Sequence, residues 1–188
     1  MVKLDKIVTK AGDTGRTRLA TGEEVPKASA RVDAYGTVDE LNCVVGVARL
    51  HTKDDARLDP ILARVQNDLF DLGADLSTPQ TASFEALRIT DPQVDRLEAE
   101  LNVLHAAQAP LTSFVLPGGS AAAAHLHLAR ATARRAERAI ARLMSEDTTI
   151  NPACIRYANR LSDLLFVMAR TANKDGATDV LWKPGANR

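Results

Sequence analysis

Positions 9 to 17 read Thr9-Lys10-Ala11-Gly12-Asp13-Thr14-Gly15-Arg16-Thr17, a run whose residue types suit an anion. Two glycines let the backbone turn sharply and aim N–H groups at one point, while Thr9, Lys10 and Thr17 add side-chain donors. Triphosphate is the natural guest, and Asp13 could help hold a magnesium ion directly or through water. The run is not a Walker A loop, because no Gly-Lys-Ser/Thr follows and no strand-loop-helix context surrounds it. An ordinary polar turn would read the same way.

A second constellation is Arg130-x-x-x-Arg134-Arg135-Ala136-Glu137-Arg138. On a helix Arg130 and Arg134 share one face a turn apart and could grip phosphate oxygens bidentately. Glu137 follows on that face, able to orient Arg134 or accept from a ribose or adenine group. Arg135, Arg138 and Arg142 point elsewhere by the same periodicity, and a solvated basic face with internal ion pairs remains the plain alternative. Asn159, in Tyr157-Ala158-Asn159-Arg160-Leu161-Ser162-Asp163, can both donate and accept, as adenine recognition requires. Asp39 shares a face with Tyr35, Asn42 and Gly46, and a surface carboxylate is the common fate of such a residue. Phe114 precedes Pro117-Gly118-Gly119, where a phenylalanine ordinarily plugs the end of a core. His125 and His127, two apart on a helix, face different directions and cannot share a metal. There is no Glu-x-x-His motif for a di-iron bundle, and no Ser-His-Asp set with a defensible order.

Helices must position these groups. Five segments carry apolar residues at spacings of three and four: about Ala30 to His51 (Val38, Leu41, Val45, Ala48), a second after Asp59-Pro60 (Leu62, Val65, Leu69, Leu72, Leu76) and a third from Thr90-Asp91-Pro92 (Val94, Leu97, Leu101, Leu104). A fourth follows Ser120 (Leu126, Ala129, Ala133, Ala136, Ile140, Leu143) and a fifth follows Asn151-Pro152 (Cys154, Ala158, Leu161, Leu165, Met168, Ala172). Asp59-Pro60 reads as a cap and first-turn pair. Each pattern is close to a heptad seam, which predicts helices crossing at shallow angles. The last two helices carry a second stripe, His127, Arg130, Arg134 and Glu137 on one and Asn159, Asp163, Phe166 and Arg170 on the other. Upstream, Ile7-Val8-Thr9-Lys10 reads as a short extended piece, and the tail after Lys174 reads as loose. The fold class is therefore all-α, one domain over residues 1–188: an irregular N-terminal phosphate-binding segment at 1–27, a five-helix bundle at about 30–174, and a tail at 175–188.

Composition narrows the classes. Lys plus Arg equals Asp plus Glu at 24 each, so no basic footprint for nucleic acid exists at the whole-chain level. Aromatic residues are 4%, which favours packed helices over strands. Cys43 and Cys154 stand far apart without a Cys-x-x-Cys pair, fitting a reducing compartment. No apolar stretch approaches bilayer length and the first six residues hold no apolar signal region; a cytoplasmic protein without membrane partners is expected.

Taken in order, the segments Thr9-Lys10-x-Gly12-Asp13-x-Gly15, Ala34-Tyr35-Gly36-Thr37-Val38-Asp39-Glu40-Leu41-Asn42, Phe114-Val115-Leu116-Pro117-Gly118-Gly119, Arg130-x-x-x-Arg134-Arg135-Ala136-Glu137-Arg138 and Asn159-Arg160-Leu161-Ser162-Asp163-x-x-Phe166-x-x-Ala169-Arg170 resemble one family, the PduO-type ATP:cob(I)alamin adenosyltransferases. The resemblance spans about Val8 to Asn173. It implies a homotrimer of five-helix bundles with active sites between subunits, and transfer of the 5′-deoxyadenosyl group of ATP to the cobalt of reduced cobalamin, giving adenosylcobalamin and triphosphate. The ATP contacts it implies are Thr9, Lys10, Ala11, Gly12, Asp13, Gly15, Thr17, Arg18 and Lys27, with Arg134, Arg135, Glu137, Arg138 and Asn159. Arg130 and Asp39 match a pair that meets across the subunit boundary in the family and joins Arg134 in the catalytic set; Phe114 and Phe166 match residues near the corrin. Mg²⁺ is expected on the ATP phosphates, with no protein ligand assigned to it directly. Cob(I)alamin or cob(II)alamin is the second substrate, and a reductase and a B12-dependent acceptor enzyme are the expected partners. The sequence departs from the family at the tail, Val180-Leu181-Trp182-Lys183-Pro184-Gly185-Ala186-Asn187-Arg188, which lacks the terminal Phe some relatives use to cover cobalamin, and at Val8, where Tyr is frequent. A non-catalytic carrier or chaperone bundle that binds ATP and cobalamin would need the same contacts, and a purely structural bundle would bind no ATP.

Overall fold

The computed structural model describes residues 7–188; the first six positions of the N-terminal segment lie outside the described residues. Five helices make the bundle: α1 (Ala30–Arg49), α2 (Asp59–Ser77), α3 (Asp91–His105), α4 (Ala121–Glu146) and α5 (Pro152–Ala172). They pack in the spatial sequence α3-α5-α4-α1-α2, each against its neighbour along most of its length. The expected apolar rows face inward: Val38, Leu41, Val45 and Ala48 of α1, Leu62 to Leu76 of α2, and Leu126, Ala129, Ala133, Ala136, Ile140 and Leu143 of α4 are all buried. Alanine on the α4 row lets α1 and α5 both approach it closely, so α4 and α5, which carry the second stripes, sit at the centre.

Helix starts are set locally. Ser29 Oγ accepts the Val32 N–H, Ser120 Oγ the Ala123 N–H, and Asn151 Oδ1 the Ala153 N–H, satisfying donors that a helix start leaves over. Asp59 is not a cap as its sequence position suggests. It is the first residue of α2 itself, and its carboxylate takes both Nε and Nη2 of Arg49, at 2.9 and 2.8 Å, tying the end of α1 to the start of α2. The turn before it is held instead by Asp55, whose Oδ1 accepts the N–H groups of Arg57 and Leu58.

Two features of the ends depart from the sequence reading. Ile7 to Lys10 form no strand; the extended pieces are β1 (Arg16–Arg18) and β2 (Glu24–Pro26), an antiparallel hairpin pairing Thr17 with Val25. The tail is not loose as far as residue 182. Asp179 forms a buried ion pair with Arg170 at 2.8 Å, Leu116 N–H donates to the Val180 carbonyl at 2.8 Å, and Val115 bridges to Leu181. Between these ends Asn173 knots the bundle: its Oδ1 accepts the Ser120 N–H, and its Nδ2 reaches the Gly118 carbonyl and Asp179. Gly119, at φ +98°, must be glycine there, since a Cβ would lie 2.3 Å from the Asn173 side chain.

Polar groups inside the bundle cluster on α2, where Asp68 and Asp75 are buried a heptad apart. Tyr157 donates to Asp68 at 3.0 Å, joined by Arg96 and Gln93 of α3. Asp75 collects Arg88, the Ile89 N–H, Asn151 and the Cys154 thiol. Burial, with Asp75 alongside, pushes the Cys154 thiol up, so it stays protonated, whereas Cys43 on α1 is exposed. Among the described residues no helix is long and apolar enough to cross a membrane.

Candidate functional site

The loop before β1 is built by two consecutive turns, Asp13 N–H to the Lys10 carbonyl at 3.3 Å and Gly15 N–H to the Gly12 carbonyl at 3.2 Å. Thr9 Oγ1 accepts the Ala11 N–H. Lys10 adopts φ +59° and Gly15 φ +75°; the first is an uncommon conformation for lysine, held where the loop must present its amides outward. Lys27 closes the loop from the far side of the hairpin. Its N–H donates to the Gly15 carbonyl at 2.9 Å, and its Nζ lies 2.6 Å from where a Cβ on Gly12 would stand, so glycine makes room for the ammonium. Lys10, Gly12, Gly15 and Lys27 thus form one cationic, amide-rich turn. Asp13 is its only carboxylate between residues 9 and 18. Among the described residues no three His, Cys, Asp or Glu side chains group as metal ligands.

Arg18 of β1 extends from this loop into a groove on α1 and α2. Tyr35, Gly36, Asp39, Asn42, Phe70 and Gly73 line it with Arg18. Asp39 is exposed there and has no ion-pair partner among the described residues. Phe70, 71% exposed, lies beside it.

The arginine ridge stands elsewhere in the protomer. Arg130 and Arg134 of α4 line a cavity of about 510 Å³ with Arg160, Asp163 and Phe166 of α5 and Leu111 of the α3–α4 connection. A second cavity of about 460 Å³ adjoins it, sharing Leu111, Arg130 and Phe166 and adding Ser113, Phe114 and Val115. Phe114 is no core plug: it is 76% exposed, standing over this second cavity. Glu137 and Asn159 meet across α4 and α5, with Asn159 Nδ2 donating to Glu137 Oε1 at 3.0 Å. Arg138 caps the same stretch by donating to the Arg134 carbonyl.

Charge at this ridge is under-compensated. Arg130 Nε is buried with no hydrogen-bond partner, and burial, reinforced by the positive charge of Arg134, pushes the Arg130 guanidinium down from its ordinary value. One turn earlier His127 is buried against Phe166 with neither ring nitrogen bonded; burial, then Arg130, pushes it down, against a smaller upward pull from Asp179. A buried donor nitrogen lacking an acceptor is costly, and an anion in the cavity would relieve it.

Several sequence candidates are not brought to this ridge. Arg135 faces the other way and pairs with Glu40 of α1, and Arg142 likewise pairs with Asp33; within the protomer Arg135 is an inter-helix strut, separated from Arg134 by the helical turn. Arg170, by contrast, does line the ridge cavity, but its guanidinium is spent on Asp179 and on the Ala109 carbonyl. The glycine loop and the arginine ridge also stay apart in one protomer: the groove lined by Arg18 and Asp39 shares no residue with the cavity lined by Arg130 and Arg134. Trp182, whose ring packs at a tilt against Phe114, escapes the sequence reading; its only signal is a lone tryptophan in a polar tail.

The comparisons with known proteins converge on one family. The sequence model of cobalamin adenosyltransferases matches residues 7–172. A corrinoid adenosyltransferase of Mycobacterium tuberculosis is 45% identical over 192 residues, spanning 100% of this chain and 97% of that protein. The corrinoid adenosyltransferase PduO of Salmonella typhimurium is 39% identical over 170 residues, 90% of this chain and 50% of that protein. In structure, a phenylalanine-to-histidine variant of the PduO-type ATP:corrinoid adenosyltransferase from Lactobacillus reuteri, complexed with cobalamin and ATP, superposes with a TM-score of 0.88 at 38% identity, covering 95% of this chain and 97% of that one. A chain with this fold and this extent of likeness belongs to the cobalamin adenosyltransferase family, enzymes of ATP-dependent corrinoid adenosylation.

Proposed function

We propose that the chain transfers the 5′-deoxyadenosyl group of ATP to the cobalt of cob(I)alamin, with its active site completed between subunits of a homotrimer. The observation that carries the site is the unpartnered, buried Arg130 Nε beside Arg134 and Phe166, next to a cavity overhung by Phe114. The cobalt lone pair attacks C5′, the C5′–O bond breaks, and its electron pair leaves on triphosphate. Reduced cobalt is itself a strong nucleophile, so the protein needs no Ser, Cys or general base. Its residues bend ATP into line and stabilise charge on the leaving triphosphate.

The glycine turn with Thr9, Lys10, Ala11, Gly12, Asp13, Gly15, Thr17, Arg18 and Lys27 would hold the phosphates, together with Arg134 and Arg138 of a neighbouring subunit. Glu137 and Asn159 would take the nucleoside. Mg²⁺ would lend charge to the triphosphate, with Asp13 as the loop residue able to meet its waters. Asp39 of one subunit would pair with Arg130 of the next, which accounts for an exposed carboxylate and an unbonded Arg130 Nε on separate faces. Phe114 and Phe166 would line a dry corrin pocket, displacing water or the lower axial ligand from cobalt. A reductase supplying the electron, a B12-dependent enzyme receiving the product, and a cytoplasmic location complete the reading.

Anaerobic incubation with ATP and cob(I)alamin tests it. Adenosylcobalamin and free triphosphate in equal amounts are expected. Tight binding of both substrates with neither product would instead establish the carrier or chaperone reading.

A further inference from the structure

Phe114 projects from an irregular connection, yet its backbone is held by hydrogen bonds from a distant stretch of chain. Ser113 Oγ donates to the Trp182 carbonyl at 2.7 Å, Trp182 N–H donates to the Phe114 carbonyl at 2.8 Å, and Leu116 N–H donates to the Val180 carbonyl at 2.8 Å. The indole packs on the Phe114 ring, centroids 5.9 Å apart and planes tilted 57°, the geometry aromatic pairs prefer. One residue before this ladder, Asp179 is anchored to Arg170, both side chains almost fully buried (2% and 4% exposed), and Arg170 also donates to the Ala109 carbonyl at 3.0 Å. Both ends of the Phe114 connection are therefore tied to the tail: Ala109 through Arg170, and Ser113 to Leu116 through residues 180–182.

We propose that Trp182, carried on this 179–182 strap, is a positioning residue that fixes the Phe114 ring over its cavity, so that the strap sets how closely Phe114 approaches the corrin. The inference rests on the placement of Phe114 at the corrin proposed above. The strap leaves both rings largely in solvent, with Phe114 76% and Trp182 44% exposed. Such a pair contributes little to holding the bundle together. Its hydrogen bonds and its ring contact all act on one connection, and that connection carries Phe114, which lines the cavity with Arg130 and Phe166.

The experiment is a double-mutant cycle of Phe114→Ala and Trp182→Ala, with Trp182→Phe as the conservative variant, in the full chain. Three quantities are read: single-turnover alkylation of cob(I)alamin, the affinity for ATP, and the spectrum of bound cob(II)alamin in the presence of ATP. Trp182→Ala should slow alkylation about 10–100-fold, the size expected when a remote change misplaces a group by an ångström. It should leave ATP affinity unchanged and move the cob(II)alamin spectrum toward that of Phe114→Ala. Trp182→Phe should recover most of the rate, and the double variant should be no slower than Phe114→Ala alone. Two outcomes overturn the inference: wild-type alkylation in Trp182→Ala while Phe114→Ala is slow, or a double variant slower by the product of the two single effects. A Phe114→Ala chain that alkylates normally overturns the corrin placement itself, and the role of the strap with it.

Discussion

The seam between α2 and α5 and the outer face of α4 both hold buried polar groups, but they treat them in opposite ways. On α2, Asp75 is surrounded by four donors, Arg88, the Ile89 N–H, Asn151 and Cys154, and Asp68 by Tyr157, Arg96 and Gln93. On α4, Arg130 keeps an unbonded Nε and His127 two unbonded ring nitrogens. Folding alone favours the first arrangement, since an unsatisfied buried polar group costs stability. The second, with three unbonded nitrogens one turn apart on one helix face, is what a bound ligand would satisfy.

Substitutions on each side can break or sharpen that contrast. Asp75→Ala leaves the Ile89 N–H and the Cys154 thiol without their acceptor and Arg88 without its counter-charge, and should cost about 3–5 kcal/mol of stability in chemical denaturation; a near-neutral result would show the network to be incidental. Arg134→Ala should lose about 2–4 kcal/mol of transition-state stabilisation, read as kcat/KM, with little change in melting temperature. Normal turnover in that variant would remove Arg134 from the mechanism. Arg135→Ala, which breaks only the exposed pair with Glu40, should cost about 0–1 kcal/mol of stability and leave turnover near wild type; a large loss of turnover would return Arg135 to the nucleotide.

The smallest effect concerns acid. Burial and Arg130 hold His127 below the ordinary imidazole value of about 6.5, so between its folded value and 6.5 the unfolded chain binds more protons than the folded one. Stability should therefore rise with pH across that window and fall as pH drops through it. Melting curves between about pH 5 and 7.5 for wild type and His127→Leu check this: the variant should show the flatter dependence.

Much of the frame was legible because it is periodic. The inward rows of α1, α2 and α4 follow from three-and-four spacing, and Ser120 and Asn151 mark their helices by local chemistry. What escaped was non-local. Asp68 and Asp75 lie among the leucines of α2 as apparent surface charges, because their partners Tyr157 and Cys154 are 89 and 79 residues away. The tail reads as polar and loose until Arg170 is seen to claim Asp179, and the three-residue strands of the hairpin are too short for alternation to show. At the site, Glu137 with Asn159 and Arg130 with Arg134 follow from helical faces. The separation of the glycine turn from the arginine ridge does not, since spacing within one chain carries no information about which protomer closes a groove.

The contrast between the two cysteines has a practical consequence. Cys154 is sealed in as a neutral thiol while Cys43 stands in solvent, four residues after Asp39 on the same helix. A thiol-selective dye added to the native protein would therefore couple at one place, a turn from the proposed subunit contact, and its emission would follow protomers associating and separating in real time without any engineered handle.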